Sequence, residues 1–148
     1  YLGFKKPTEK TYADWQNHYG IKYDEELTAE HETKMYEDFT TAMITNFPEM
    51  TSPFWNMSRY WDGETSKKID VILGGMETIG SAERSTNVDQ MRDTFHSITD
   101  GAYSKLLFEL FGKERVEAEL EEFLKFDFFP RVGGGIGMTR MIAALDTI

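Results

Sequence analysis

The run Phe128-Phe129-Pro130-Arg131-Val132-Gly133-Gly134-Gly135-Ile136-Gly137-Met138-Thr139-Arg140-Met141-Ile142-Ala143-Ala144-Leu145 decides the fold. Gly133, Gly135 and Gly137 alternate, so in a strand they share one face, and that face carries no side chains. A bare strip of sheet suits a flat ligand. Beyond Gly137 the pattern turns helical: Met138, Met141, Ile142, Ala143, Ala144 and Leu145 are apolar all round, which predicts a buried helix. Arg140 falls in its first turn, where an unpaired cation opposes the helix dipole at a cost of roughly 0.3–1 kcal/mol. An anion beside Arg140 removes that cost, and a flat floor next to an anion site points to a nucleotide.

Two common glycine-rich phosphate binders do not fit. A P-loop requires Lys directly after its glycines, and none follows here; the dinucleotide fingerprint Gly-x-Gly-x-x-Gly counted from Gly133 meets Met138. What remains is Gly-x-Gly-x-Gly-x-x-Arg leading into an apolar helix. The plain alternative is a glycine-rich strand beside a core helix.

Working outward, Lys68 to Leu73 and Met76 to Ile79 flank Gly74-Gly75 and predict a hairpin. With a two-residue turn, Asp70 lies opposite Ile79, and period-2 alternation puts Asp70 and Glu77 on one face. A hard cation such as magnesium, held by carboxylate oxygens and substrate phosphates, reconciles the two charges. The alternative is that one carboxylate faces water or pairs with Lys67 or Lys68. Strict alternation sends Arg84 to the opposite face, unless a bulge among Gly80, Ser81 and Ala82 re-aims it.

The rest of the chain reads as short elements. A helix capped by Thr8 or Thr11 runs through Trp15 and His18 to Gly20. A second spans about Thr28 to Met43, with Thr28 and His31 making a poor capping box. Ile44 to Phe47 is a strand stopped by Pro48, Pro53 to Tyr60 another, and Asp62-Gly63 a tight turn. Phe54, Trp55, Tyr60 and Trp61 are read as core. Helices follow from Asn87 to Ile98, Ala102 to Phe111 and Lys113 to Lys125; the last carries Glu117, Glu119, Glu121 and Glu122 on a solvated face.

Composition narrows the function. The 148 residues suit one domain, and 40% hydrophobic content supports a core. A net charge of −10 repels phosphate backbones, which argues against nucleic-acid binding by this segment alone. The lack of Cys excludes disulfides and thiolate zinc sites, and His18, His31 and His96 are too scattered for a metal cluster. No apolar run approaches the roughly 18–20 residues of a membrane span, and no leader opens the chain, so a cytoplasmic protein with no membrane partner is expected. Starting at Tyr1 and stopping just after the apolar helix, the chain is expected to be a piece of a longer protein.

The glycine-to-arginine stretch resembles motif 3 of the class II aminoacyl-tRNA synthetases, and two further blocks resemble the aspartyl and asparaginyl subgroup. Asn46-Phe47-Pro48 through Pro53-Phe54-Trp55-Asn56-Met57 is similar to that subgroup's Phe-Pro-x4-Pro-Phe-Tyr-x-Met segment, with Trp55 in place of Tyr and Ser52 where aspartyl enzymes usually carry Arg. Ile69 to Arg84, with Glu-x2-Gly-x3-Arg at its end, is similar to its paired strands, Asp-x6-Glu-Ile-x-Ser/Gly-Gly-x2-Arg. Tyr12 to Glu32 is a looser match.

The resemblance implies an α+β fold, an antiparallel sheet flanked by helices. It implies activation of aspartate or asparagine by ATP and magnesium to the aminoacyl-adenylate. Asp70 and Glu77 become the magnesium ligands, Arg84 the grip on the amino-acid side chain, and Arg140 the hold on the γ-phosphate. Gly133, Gly135 and Gly137 become the adenine floor. It also implies tRNA as acceptor and a homodimer, both through parts not seen here: residues 1–148 match the C-terminal part of a catalytic domain, without motif 1, motif 2 or an anticodon-binding domain. Thr139, where Glu or Asp usually precedes the motif 3 Arg, is similar to the ammonia-dependent asparagine synthetases of the same fold. Arg131 replaces a frequent His, Gly80 follows the asparaginyl pattern and Ala82 the aspartyl one, so acid and amide substrates both stay open. A non-catalytic paralogue acting as a binding module is the remaining alternative.

Overall fold

The computed structural model describes residues 3–148; Tyr1 and Leu2 lie outside the described residues. Its centre is the hairpin at Gly74-Gly75, which joins β3 (Thr65–Leu73) to β4 (Met76–Arg84). Both glycines have left-handed φ angles, 59° and 79°, the backbone that a two-residue hairpin requires. β2 (Thr41–Pro48) lies antiparallel to β3, and β5 (Arg131–Ile136) antiparallel to β4. The antiparallel expectation therefore holds except at one edge, where β1 (Thr8–Thr11) runs parallel to β2; the sheet order is β1-β2-β3-β4-β5.

Two helices close on the hairpin turn. A Cβ on Gly74 would stand 3.1 Å from the Ala144 Cα of α6 (Met138–Leu145), and one on Gly75 would stand 3.5 Å from the Thr33 Cα of α2 (Ala29–Phe39). Gly74 thus serves close approach as well as turn geometry, whereas at Gly75 a Cβ would make only ordinary van der Waals contact. A third helix, α1 (Tyr12–Tyr19), is capped by the Thr11 hydroxyl, which accepts from the Asp14 N–H, and stops at Gly20 with φ 68°. Trp15 is fully buried and donates its Nε1–H to the Met43 carbonyl at 3.0 Å. Around it Tyr12, Met35, Ala42, Ile44, Phe47 and Ile72 form the first core.

Three expectations change here. α2 ends at Phe39 rather than near Met43, because Thr40 turns to a positive φ of 70° and Ala42 and Ile44 then face the core at strand spacing. At its start His31 acts where a carboxylate was missing, its Nδ1 accepting from the Thr28 N–H at 3.0 Å. Pro53 to Tyr60 is a wrapped loop rather than a strand, tied to the sheet by isolated bridges at Met57 and Arg59. The cause is the buried Arg59 guanidinium, which pairs with Glu49 and donates to the carbonyls of Pro53, Phe54 and Met57. Those carbonyls curl round a cation instead of meeting a neighbouring strand.

Between β4 and β5 the chain inserts α3 (Val88–Ser97), α4 (Ala102–Phe111) and α5 (Lys113–Leu124), close to the expected bounds. Their second core joins Met91, Phe95, Val116, Leu120 and Leu124 to Trp55 and Phe128. Trp61, read as core, is instead fully exposed at the tip of the Asp62-Gly63 turn. Two of the acidic residues of α5 are not merely solvated: Glu121 pairs with Arg92, and Glu117 with His96, both on α3. α6 differs most from its reading. Only Ala144 in it is buried, packed against Gly74, while Met138 and Ile142 are 64% and 59% exposed.

Candidate active site

One irregularity builds the site. Val71 pairs with Ile79 but Ile72 pairs with Glu77, so Thr78 is an extra residue in β4. Asp70 consequently lies opposite Gly80, not Ile79, and from the bulge onward every side chain of β4 changes face relative to a regular hairpin. The bulge sits nearer the turn than the sequence suggested. It still does what was asked of it, bringing Arg84 to the face that carries Asp70. Glu77 keeps to that face too: a Cβ built on Gly80 would stand 2.7 Å from Glu77 Oε1 and 3.4 Å from Asp70 Oδ1.

The ladder then lays out a floor in rows. Asp70, Gly80 and Gly135 lie side by side on β3, β4 and β5; Lys68, Ala82 and Gly133 form the next row, and Arg84 and Arg131 the one beyond. Paired residues share a face, so Gly80, Ala82, Gly133 and Gly135 make a patch bare of all but one methyl group. Carboxylates bound one end and guanidinium groups the other. A Cβ on Gly133 would collide with Arg84 at 2.8 Å from Nε, so that guanidinium lies against the strip, whereas above Gly135 there is nothing within 4 Å. Gly137 is the N-cap of α6 and belongs to the helix entry, its open side lying against the Arg140 side chain.

At the acidic end, Asp70 is buried and its Oδ2 accepts from Lys68 Nζ at 2.6 Å. Lys68 also lies 4.0 Å from the centre of the Phe47 ring. Burial pushes the Asp70 carboxyl up to about 6; Lys68 opposes the rise, and the charges of Glu77 and Glu32 add to it. Asp70 Oδ1 is buried without a hydrogen-bond partner. A buried orphan oxygen facing a second carboxylate across a space that a methyl group would fill suits a small hard cation. Among the described residues no three His, Asp or Glu side chains hold a metal unaided, so the remaining ligands would be water and phosphate oxygens.

Arg140, exposed in the first turn of α6, donates from Nη1 to the Glu77 carbonyl at 2.7 Å, and Gly137 donates its N–H to the Thr78 carbonyl at 2.9 Å. The helix entry and the bulge are therefore stitched together. Glu32 of α2 was not singled out by the sequence, yet it meets this cluster, its carboxyl raised first by burial, with Arg140 and Lys68 opposing. Lys68 was considered only as an alternative partner for the carboxylates. At the other end Arg84 contacts Asn56 Oδ1 at 3.4 Å, and Arg131 donates to the Phe129 carbonyl at 3.2 Å while lying over the Phe128 ring. A cavity of about 290 Å³, lined mainly from the opposite sheet face by Lys67, Ile69, Ser81, Glu83 and Val132 but also by Lys68 and Ala82, holds none of Asp70, Glu77, Arg84 or Arg140.

The floor thus runs from an acidic end to a basic one. Residues 3–147 match the family of class II tRNA synthetases for D, K and N. The chain belongs to the class II aminoacyl-tRNA synthetases. Within this synthetase family, it is 25% identical over 128 residues to an aspartate–tRNA(Asp) ligase of Pyrobaculum aerophilum, covering 86% of this chain and 27% of that protein. Its fold matches the aspartyl-tRNA synthetase of Entamoeba histolytica with a TM-score of 0.72 and 17% identity, over 97% of this chain and 30% of the other. The asparaginyl-tRNA synthetase of Pyrococcus horikoshii complexed with asparaginyl-adenylate gives 0.72 and 17%, over 97% and 32%. The synthetase chain thus spans about a third or less of the length of these relatives. Among the described residues no helix is long and apolar enough to cross a membrane.

Proposed function

We propose that residues 1–148 are the C-terminal part of a catalytic domain that condenses ATP with aspartate into an aminoacyl-adenylate in the cytoplasm. The observation that carries this reading is the glycine and alanine floor with Asp70 and Glu77 at one end and Arg84 and Arg131 at the other. Gly135 offers the open floor for the adenine, Gly133 lying beneath the Arg84 guanidinium, and Arg140 takes the polyphosphate tail. Magnesium fits between Asp70 and Glu77, where it would neutralise phosphate charge. Arg84 orients the amino acid so that its carboxylate attacks in line at the α-phosphorus. No general base is required, because that carboxylate is already ionised, and the acceleration is positional and electrostatic. The acceptor in this reading is tRNA, and a second copy of the chain the dimer partner; both would engage regions of the relatives that this chain does not span.

Aspartate is favoured over asparagine by the second arginine. Arg84 and Arg131 are directly paired across β4 and β5, and among the described residues neither forms a salt bridge. Like charges facing each other across a ladder are unfavourable until an anion joins them. Calorimetric titration with ATP-magnesium, followed by aspartate or asparagine, tests this. Tighter binding of aspartate is expected; a preference for asparagine would reverse the assignment. Thr139 supports a second reading, in which ammonia replaces tRNA after the same activation. Asparagine formed from aspartate, ATP and ammonium would establish it.

A further inference from the structure

Glu32 lies on α2, far in sequence from the hairpin, yet its Oε2 accepts the main-chain N–H of Glu77 at 2.9 Å. The carbonyl of the same residue accepts from Arg140 Nη1 at 2.7 Å. Both main-chain polar groups of Glu77 are therefore held by charged side chains from two separate helices. The neighbouring Thr78 is the extra residue of the bulge, where a strand loses its ladder partners and its side chains can be re-aimed.

A carboxylate is an expensive choice for capping one N–H beside two other carboxylates, when a neutral acceptor would serve. Burial raises the Glu32 carboxyl, and the hydrogen bond from the Glu77 N–H, with Arg140 and Lys68, only opposes the rise. We propose that Glu32 is a positioning residue: with Arg140 it clamps the main chain of Glu77 at the bulge and so aims the Glu77 carboxylate at Asp70 across Gly80. This rests on the reading of Asp70 and Glu77 as magnesium ligands. It adds that the metal end and the polyphosphate end share one backbone residue, Glu77, braced from both sides. A partner that only orients a ligand still influences metal affinity strongly.

Amide hydrogen exchange on the ligand-free chain reads the clamp directly. Glu32→Gln keeps an acceptor at the same reach and preserves slow exchange at Glu77. Glu32→Ala removes it and Glu32→Asp withdraws it by one methylene; both speed exchange at Glu77 by roughly tenfold or more, with the amides of Ala82 and Arg84 unchanged. The magnesium concentration needed for half-maximal ATP binding then rises roughly 10–100-fold in Glu32→Ala, and far less in Glu32→Gln. Glu32→Asp gives the same contrast should the alanine variant loosen the whole of β4. Unchanged exchange at Glu77 in both the Ala and Asp variants would overturn the clamp. Wild-type protein that binds no ATP-magnesium would instead overturn the functional reading, and exchange alone would then decide the role of Glu32.

Discussion

Gly134→Ala and Gly135→Ala place the same methyl group on opposite faces of β5, and the two faces predict opposite phenotypes. At Gly134 the new Cβ would stand 2.7 Å from Ser81 Cβ and 2.8 Å from the Gly80 carbonyl oxygen. That oxygen belongs to the main chain, so β4 and β5 must separate, and overpacking of this kind costs about 1–3 kcal/mol. For a domain of this size about 2 kcal/mol lowers the melting temperature by roughly 4–8 °C. At Gly135 nothing lies within 4 Å of the new methyl. Folding is then unaffected or gains up to about 1 kcal/mol from the lost chain entropy of glycine. A base lying on the strip, however, meets a methyl group where it had a flat surface. Forced contact of about 1–3 kcal/mol weakens nucleotide binding roughly 5- to 150-fold. Thermal melts with calorimetric ATP titrations of both variants give the comparison. Full ATP affinity in a stable Gly135→Ala protein would refute the floor, and a Gly134→Ala protein as stable as wild type would refute the strand packing.

Three further predictions follow from the two ends of the floor. Arg140→Ala should weaken ATP roughly 10- to 100-fold, the cost of one charge-assisted contact to phosphate, and AMP much less; equal losses in a calorimetric titration would remove Arg140 from the polyphosphate tail. Glu77→Gln should raise the magnesium needed for ATP binding, and an unchanged requirement would make that carboxylate structural. Asp70, pushed up to about 6 in the folded chain, makes stability depend on pH. Its folded value lies above its unfolded one, so the favourable state is the protonated one, present below about pH 4 and lost as pH rises to about 6. The loss amounts to about 3 kcal/mol, should vanish in Asp70→Asn, and should shrink in wild type when magnesium is added; denaturation curves at pH 4 and pH 7 that move identically in both proteins would contradict it.

Most of the floor was legible because glycine and strand alternation carry direct geometric meaning. Gly133 and Gly135 fell on one face as period-2 spacing requires, and Gly74-Gly75 specified the hairpin that brings Asp70 and Glu77 together. Register was only partly legible: a bulge at Thr78 leaves no compositional mark, since Thr is an ordinary strand residue, and the need for a bulge showed only through the misplacement of Arg84. Glu32 escaped because a glutamate in the first turn of a helix is already explained by the dipole. Nothing local distinguishes it from Glu30; its partner is the main chain of a distant strand.

The helices divide the same way. α3, α4 and α5 pack mainly on one another, so glycine stops and apolar spacing located them. The end of α2 was overrun because Ala42 and Met43 are good helix formers, and only the tertiary core at Ala42 and Ile44 draws them into β2. α6 is apolar for a reason the described residues do not supply. Its exposed Met138 and Ile142, like Val132 and Ile136 on the back of β5, carry core composition on an open surface.

The central claim is that ATP lies on one named face of the sheet, and methyl-resolved NMR reads that face directly. On adding ATP-magnesium, the Ala82 methyl, buried in the floor, should shift while the Val132 and Ile136 methyl groups, on the opposite face of the sheet, stay in place. Aspartate should then extend the change toward Met57, which bridges to Arg84. Shifts confined to Val132 and Ile136 would put ATP on the opposite face and contradict the account; no shift at any ATP concentration would contradict it too and leave the synthetase fold as a binding module without nucleotide.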